Sequence, residues 1–547
     1  MTVVAWLLVG VGEALVAVGR GAPGGPLLLL VAAWGGIGVI LRRWPALSSA
    51  WIPVFLQIFG AALIQLQLSG VAGILAAEGA LVGLVGGVWL LRRWPGAGIL
   101  FVLPATLAGA QMRQIRPVLQ MPEPVEEGRK GLGPRVILLT IDTLRADVGR
   151  ALPTYNLVAQ SGRSGPTRSL SPWTVPSLGT LLTGQDAYVH GAVIRPPKAG
   201  KTHIGSLSVP TLARRFRDAG WATAAFVENP FIAPERGFQD GFLVWDHREL
   251  RRPPRSLLLD PFGLGLDLQP LTPSGRDADA RVDAALRWLI AQEGPLFLWV
   301  HLLGPHLPYY HADYSAGTAL GDMLGPQGHS RLTTEELRRG TLRWTPLLRQ
   351  EIKEAYRQEA LRADQAMGRL VAAAGSDAIV LYTSDHGEEL GDHGGWEHGH
   401  TLYDELLEVP LAFRAPGVAA GSWTGPATLL DVAPTLLALA GLPTDQLPGQ
   451  DLRGEPAARR LLLANTLYDA ELDGSLEWPL KYVRSLDYSM QRLVDLSVDP
   501  REEHDLCPER AGDCARAAEW LQQREAELGE TPEGVVDEAV RALGYRE

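Results

Sequence analysis

AIVLYTSDHGEELGDHGGWEHGH, residues 378–400, opens with five apolar residues and turns abruptly into acids and histidines. Its last eighteen positions, 383–400, hold five acidic residues and four of the twelve histidines in the chain. The apolar run reads as a buried strand. Hard oxygen and imidazole ligands at its carboxyl end then lie where open α/β sheets place their chemistry. Acidic runs are commonly solvated loops, but solubility does not call for this density of histidine, and the stretch predicts a metal-centred site.

A second apolar run, Val136-Ile137-Leu138-Leu139-Thr140-Ile141, ends in the same way, at Asp142. Further runs stand at Ala222 to Val227 and Leu296 to Leu303, with helical patterns between them such as Val209 to Ala219 and Asp277 to Gln292. This alternation predicts an α/β fold, a mainly parallel sheet with helices on both faces. Segments 250–275 and 311–349 are rich in Pro, Gly and Arg and read as insertions, either surface loops or substrate lids. We expect residues 135–442 to form the catalytic domain and 443–547 a smaller C-terminal subdomain. In the latter, RLVDLSVDP (492–500) suggests a strand and turn, followed by a terminal helix. No internal repeat is visible.

The front of the chain has a different character. Residues 1–120 hold two acids, Glu13 and Glu78, against seven bases, which leaves 59 acids and 43 bases in the remainder. Five apolar segments can be read, about Val3 to Val18, Pro26 to Leu41, Trp51 to Leu68, Val71 to Leu91 and Gly98 to Ala110. The third and fourth approach the roughly 20 residues a helix needs to cross a bilayer. A single cleaved signal peptide would not account for five of them. We therefore expect a transmembrane helix bundle over 1–115 and a linker over 116–134. Arg42-Arg43 and Arg92-Arg93 follow the second and fourth segments. The positive-inside rule then puts both loops in the cytoplasm, and an odd number of spans exports the rest of the chain. The expected location is a multi-pass protein of the cytoplasmic membrane with its catalytic domain on the outer, periplasmic side. Glu13 and Glu78 within the spans read as interior-facing polar contacts or as marks of a lipid or ion path.

The acidic remainder argues against a nucleic-acid partner, since phosphate backbones require a basic stripe. Cys507 and Cys514, the only two cysteines, either close a small loop in an oxidising compartment or stay reduced.

VILLTIDTLRAD, SPWTVPSLGTLLTG, HLLGPHLPY, TSDHGEELGDHG, HGHTLYDELLEVPL and LVDLSVDPREEHDL resemble, in order, the successive motifs of the sulfatase family, a branch of the alkaline-phosphatase superfamily. The resemblance covers about residues 135–510. The apolar front end also resembles that of membrane phosphoethanolamine and phosphoglycerol transferases, which share the catalytic fold. The resemblance implies Asp142, Asp385 and His386 as metal ligands and Thr174 as the nucleophile and a further ligand. The residues agree with this. A carboxylate directly after a buried strand is costly unless it meets a cation or strong donors, the competing role for Asp142 being a helix N-cap.

Thr174 stands ten residues before Gly184, where catalytic sulfatases carry a cysteine or serine that is oxidised to formylglycine. Threonine has a β-methyl group and cannot yield that aldehyde, so formylglycine is not expected. The family arginine four residues later is Leu178 here, and the sulfate-gripping lysine and histidine motif has no clean counterpart in TAAFVENPFIAPERGF, although Asn229 sits in that region. By the same resemblance His306 faces the leaving group and donates its proton, His398 and His400 bind the ester anion of the substrate or a second metal, and Asn229 is a further substrate-binding residue. The alternation of His398 and His400 puts both on one side if the segment is extended. His301, His190, His393 and Glu389 read as structural or loop residues.

The leading expectation is a membrane-anchored, metal-dependent hydrolase or transferase acting on a phosphate or sulfate ester, such as a lipid head group or envelope glycan. Phosphoryl chemistry is favoured because a threonine oxygen activated by a divalent Zn, Mn, Mg or Ca ion needs no oxidised side chain. A sulfuric ester hydrolase working without formylglycine is the second reading. The third is a catalytically silent membrane protein that binds an anion.

Overall fold

The computed structural model describes residues 134–198, 201–247, 278–309, 312, 318–324, 336, 341, 344–464, 466–467, 471–486, 490–528 and 535–536. The five apolar segments, the linker up to residue 133, the 250–275 insertion and most of the 311–349 insertion lie outside the described residues. Among the described residues no helix is long and apolar enough to cross a membrane.

Eight strands form the central sheet: β1 (Arg135–Ile141), β2 (Arg163–Ser164), β3 (Ala222–Val227), β4 (Val244–His247), β5 (Leu296–Leu302), β6 (Ile379–Ser384), β7 (Leu411–Arg414) and β8 (Gly421–Ser422). Their order is β8-β2-β7-β6-β1-β5-β3-β4. Only β7 runs against the others. The four apolar runs of the sequence are thus the four adjacent strands β6, β1, β5 and β3, and the mainly parallel sheet is as expected.

Successive side chains of a strand point to opposite faces, and β1 divides accordingly between two cores. Val136 and Leu138 pack with Val175, Leu181 and Leu182 of helix α1 (Thr174–Thr183). Ile137, Leu139 and Ile141 pack with Val282 and Leu289 of α2 (Ala278–Ala291) and with Ala363, Met367 and Leu370 of α3 (Pro346–Ala374). Each of the buried valine, leucine, isoleucine and methionine side chains contributes about 1.5–3 kcal/mol relative to exposure. Burial on both faces explains why β1 reads as an unbroken apolar run rather than an alternating one.

The start of α3 is set locally. The Thr345 hydroxyl accepts a hydrogen bond from the Leu348 amide, and Pro346 occupies the first helical position, where its missing N–H costs nothing.

Beyond the sheet, β9 (Arg460–Ala464), β10 (Leu472–Glu477), β11 (Leu480–Ser485) and β12 (Gln491–Asp495) form an antiparallel meander. Helix α4 (Ala511–Leu528) packs on it through Ala517 and Leu521, beside the Cys507–Cys514 disulfide.

Register fixes where the chemistry is delivered. Ile141 pairs with Leu302 on one side and with Ser384 on the other, and Thr140 pairs with His301. The residues that follow, Asp142 and Asp385, therefore emerge side by side at the carboxyl edge of the sheet.

Candidate active site and metal centre

Asp142, Asp385, His386 and His301 are fully buried. His386 Nε2 lies 3.7 Å from Asp142 Oδ1 and 3.5 Å from Asp385 Oδ2. One ligand atom from each of Asp142, His301 and Asp385 falls within 4.8 Å of the others. Asp385 Oδ1 accepts the amides of Thr143 (3.1 Å) and His386 (2.9 Å). Asp142 Oδ2 accepts from the Asn229 amide at 2.5 Å and lies 3.3 Å from His301 Nε2. The opposite oxygens, Asp142 Oδ1 and Asp385 Oδ2, have no hydrogen-bond partner among the described residues. Two orphaned, buried carboxylate oxygens with an imidazole between them form a donor set that fits a divalent cation.

Electrostatics point the same way. Burial raises the Asp385 pKa well above the ordinary carboxylate value, and the charge of Asp142 adds to the effect. Burial also acts against ionised Asp142, but the hydrogen bond with His301 and the nearby His306, His301 and His386 outweigh it and hold its pKa below normal. Without added positive charge the pair resists carrying two charges at once. Burial, with the neighbouring His398, lowers His386 to about 3, which keeps its imidazole neutral, the form that ligates.

Thr174 is the first residue of α1, and Trp173 before it is extended. Its Oγ1 lies 3.4 Å from His386 Nε2 and 3.4 Å from Asn229 Nδ2. Asn229 thus joins Thr174 to Asp142, while its Oδ1 accepts the Phe231 amide at 2.8 Å and fixes the orientation of the side chain. The Ser177 hydroxyl, one turn along α1, donates to the Asp385 carbonyl and ties the helix to the metal-facing loop. Leu178, in place of the family arginine, is wholly buried in the core. His190 is also buried. Its Nε2 lies 3.1 Å from the Pro176 carbonyl, and burial lowers its pKa to about 3. Its ring packs so closely on Gly179 that a Cβ there would approach within 2.5 Å, so His190 is structural, as expected.

His398 reaches the site. Its ring centroid is 4.5 Å from that of His386 and 5.0 Å from that of His306, and its Nδ1 lies 2.9 Å from Glu388 Oε1. His400 does not share that side. The expected extended run is broken by positive φ at Glu397 (70°) and Gly399 (84°), and His400 Nε2 instead meets Glu389 Oε2 at 2.8 Å. Glu389 is likewise not a solvated loop residue, whereas His393 is an exposed loop residue. Glu389 is buried and accepts the amides of His393 and Gly395. His393 stacks on Tyr403 at 3.6 Å, with Nδ1 2.5 Å from Glu405 and Nε2 2.8 Å from the Arg501 carbonyl. Glu389, His393 and Glu405 each bring one ligand atom within 4.8 Å of the others, a second carboxylate and imidazole group separate from the buried one.

Two site residues were not anticipated from the sequence in these roles. His301, expected to be structural, reaches Asp142 through Nε2, while its Nδ1 lies 2.8 Å from Thr140 Oγ1. Without a cation Nε2–H can donate to Asp142; with one bound, an Nδ1 proton donated to Thr140 would leave the Nε2 lone pair for the metal. Glu388 is the buried partner that orients His398. A histidine next in register to a strand-end aspartate was the available signal for His301, but it becomes readable only once β5 is known to lie beside β1.

Comparison with known proteins gives the family and the fold. The sulfatase family model matches residues 134–442. YidJ of Escherichia coli (strain K12), an uncharacterized sulfatase, is 26% identical over 411 residues, which covers 65% of this chain and 79% of that protein. The phosphonate monoester hydrolase of Silicibacter pomeroyi shares the fold with a TM-score of 0.53 at 21% identity, covering 72% of this chain and 95% of its own. A protein solved in complex with its substrate D-glucosamine-2-N,6-O-disulfate shares it with a TM-score of 0.55 at 18% identity, covering 72% and 98%. With more than half of its length matched by the family model, the chain belongs to the sulfatase family, whose members are metal-dependent enzymes of the alkaline-phosphatase superfamily.

Proposed function

We propose that the chain is a membrane-anchored enzyme that hydrolyses or transfers a phosphate or sulfate ester through Thr174, with phosphorus favoured over sulfur. The observation that carries this reading is the hydroxyl of Thr174, 3.4 Å from both His386 and Asn229 at the edge of the buried carboxylate pair. A divalent cation held by Asp142, Asp385, His386 and His301 would supply Lewis-acid stabilisation of negative charge on oxygen.

The side chains divide the remaining work. Asn229 orients Thr174 and Asp142 together. The first turn of α1 directs its amide dipoles toward incoming negative charge. Thr174 Oγ forms a bond to the ester phosphorus as the bond to the leaving oxygen breaks, and the hydroxyl proton passes to water. His306, its Nδ1 2.6 Å from the Leu307 carbonyl, donates a proton to the departing oxygen. Water or an acceptor hydroxyl then displaces Thr174, and the choice between them separates hydrolysis from transfer.

Phosphorus is favoured because threonine cannot be oxidised to the aldehyde used for sulfate esters. Sulfuric ester hydrolysis without formylglycine is the second reading, supported by the family match and by the sulfatase YidJ. The amino-sugar disulfate bound by one fold relative supports a sugar ester as substrate. The apolar segments of residues 1–115 support a membrane location, with lipid head groups or envelope glycans within reach on the outer side. The test is to incubate the purified chain and a divalent metal with paired aryl phosphate, phosphodiester and sulfate substrates, then to examine Thr174 by mass spectrometry. A phosphorylated Thr174 is the expected result; sulfate release with no phosphoryl turnover would favour the second reading.

A further inference from the structure

A groove of about 740 Å³ runs along the first turns of α3, walled by Trp344, Arg349, Lys353 and Arg357. The three cations recur every fourth residue, so they share one side of the helix at intervals of about 6 Å. Glu354 is the acid beside them. It pairs with Arg357 at 3.1 Å, but both side chains are more than half exposed, and such a surface pair screens little of the row's charge. Lys353 makes no hydrogen bond or ion pair among the described residues, and its charge is felt at Asp392. A cationic row stands out in a chain whose residues beyond 120 carry 59 acids against 43 bases.

Trp344 is held in place from one edge. Its Nε1 donates to the Gly394 carbonyl at 2.9 Å, and its ring meets Trp396 edge-on at 6.3 Å. Arg349 lies 5.3 Å from the Trp344 ring centroid and donates to the Gly391 carbonyl at 2.6 Å. The groove therefore rests on the turn Gly391–Gly394. That turn is the apex of a segment whose ends, His386 and His398, both stand in the active site.

We propose that this groove is a binding subsite for an anionic saccharide chain, the extension of the ester-bearing substrate beyond the catalytic centre; calling it a substrate subsite rests on the esterase reading above. Trp344 offers an aromatic surface to the apolar face of a sugar ring, and Arg349, Lys353 and Arg357 offer a line of donors to its sulfate or phosphate groups. A lipid surface fits less well, because a tryptophan fixed by its N–H and by Trp396 cannot project into a bilayer interface.

Isothermal titration of the full chain with a size-defined sulfated oligosaccharide, its phosphorylated counterpart, its neutral counterpart and anionic phospholipid vesicles tests the proposal. The wild type should bind one or both anionic oligosaccharides and not the neutral one. Lys353→Glu combined with Arg357→Glu, and separately Trp344→Leu, should each raise the Kd at least tenfold, with unchanged melting temperatures showing that the variants are folded. An unchanged Kd in the charge-reversed variant, equal affinity for the neutral sugar, or binding to the vesicles alone would overturn it. Small-ester turnover by the wild type reports on the esterase reading by itself. Charge-dependent sugar binding without that turnover keeps the subsite and sinks the reading, and turnover with charge-independent binding does the reverse.

Discussion

Asp142 and Asp385 leave neighbouring parallel strands one residue past the same register pair, Ile141 and Ser384, and each ends in a buried oxygen without a hydrogen-bond partner among the described residues. This arrangement predicts a large response to metal. Saturating Zn or Mn should raise the melting temperature, a stabilisation of about 2.7 kcal/mol at a hundred times Kd, and a chelator should reverse it. Asp385→Asn should abolish the metal-induced shift while leaving the metal-free protein as stable as the wild type or more so, because burial and Asp142 already disfavour the charged form of Asp385 and an asparagine Oδ1 can still accept the Thr143 and His386 amides. Differential scanning fluorimetry with and without metal checks both; a metal shift that survives in Asp385→Asn would remove this residue from the ligand set.

Thr174 is the residue whose loss should silence turnover. Thr174→Ala deletes the hydroxyl and is expected to lower kcat by roughly 10³-fold or more, with the metal-induced melting shift largely kept. Thr174→Ser keeps the hydroxyl and should retain turnover. Full activity in the alanine variant would exclude a Thr174 nucleophile.

Asn229 touches both Thr174 and Asp142 without an expected place among the ligands. Asn229→Ala should cost roughly 10- to 100-fold in metal affinity or kcat, the usual penalty for losing an orienting partner. Asn229→Asp should cost more in turnover, since it adds a third negative charge and loses both donated hydrogen bonds. Equal kinetics for the two variants would argue that Asn229 only fills space.

Strands buried on both faces announce themselves as continuous apolar runs, which is why β1, β3, β5 and β6 were legible and why Asp142, Asp385 and His386 could be read at their ends. The flanking strands were not. β2 and β8 have two residues each and β7 has four, enclosed by Pro410 and Pro416, too short for any periodicity to emerge. His301 was hidden for a different reason. It sits inside LFLWVHL, where a lone histidine reads as a core residue, and its contact with Asp142 exists only through the pairing of β5 with β1, a relation 159 residues apart in sequence. His400 turns toward Glu389 because φ is positive at Glu397 and Gly399; the glycine is the residue type that permits such a turn, but Glu397 carries no sign of it.

His393 gives the fold a pH dependence separable from the metal site. Its partial burial disfavours the charged ring, but the hydrogen bond and charge of Glu405, with the Arg501 carbonyl, outweigh that and lift the pKa from 6.5 to about 9. The folded value lies above the unfolded one. The stabilisation is therefore full below about pH 6.5 and is lost as pH rises through about 9. The urea midpoint of the wild type should exceed that of His393→Gln clearly near pH 6 and converge with it near pH 10. A gap that is constant across that range would mean that the Tyr403 stack, and not the charge, carries the contribution.

Lys481 is the remaining test, and here the sign depends on burial. Its ammonium is wholly buried and donates to Glu502 at 2.5 Å, to the Leu402 carbonyl at 2.9 Å and to Asp404 at 3.2 Å. Arg168 reaches the other oxygen of Asp404 at 2.7 Å. An exposed pair such as Arg357 with Glu354 is worth about 0–1 kcal/mol. Removing one member of a buried group instead strands its partner, at about 3–5 kcal/mol. Asp404 keeps Arg168, so the stranded group in Lys481→Met is Glu502, and Lys481→Met combined with Glu502→Gln should recover part of the loss. Chemical denaturation of the two variants decides it. If the double variant is no more stable than the single one, the cost lies in the lost hydrogen bond to the Leu402 carbonyl rather than in the uncompensated carboxylate.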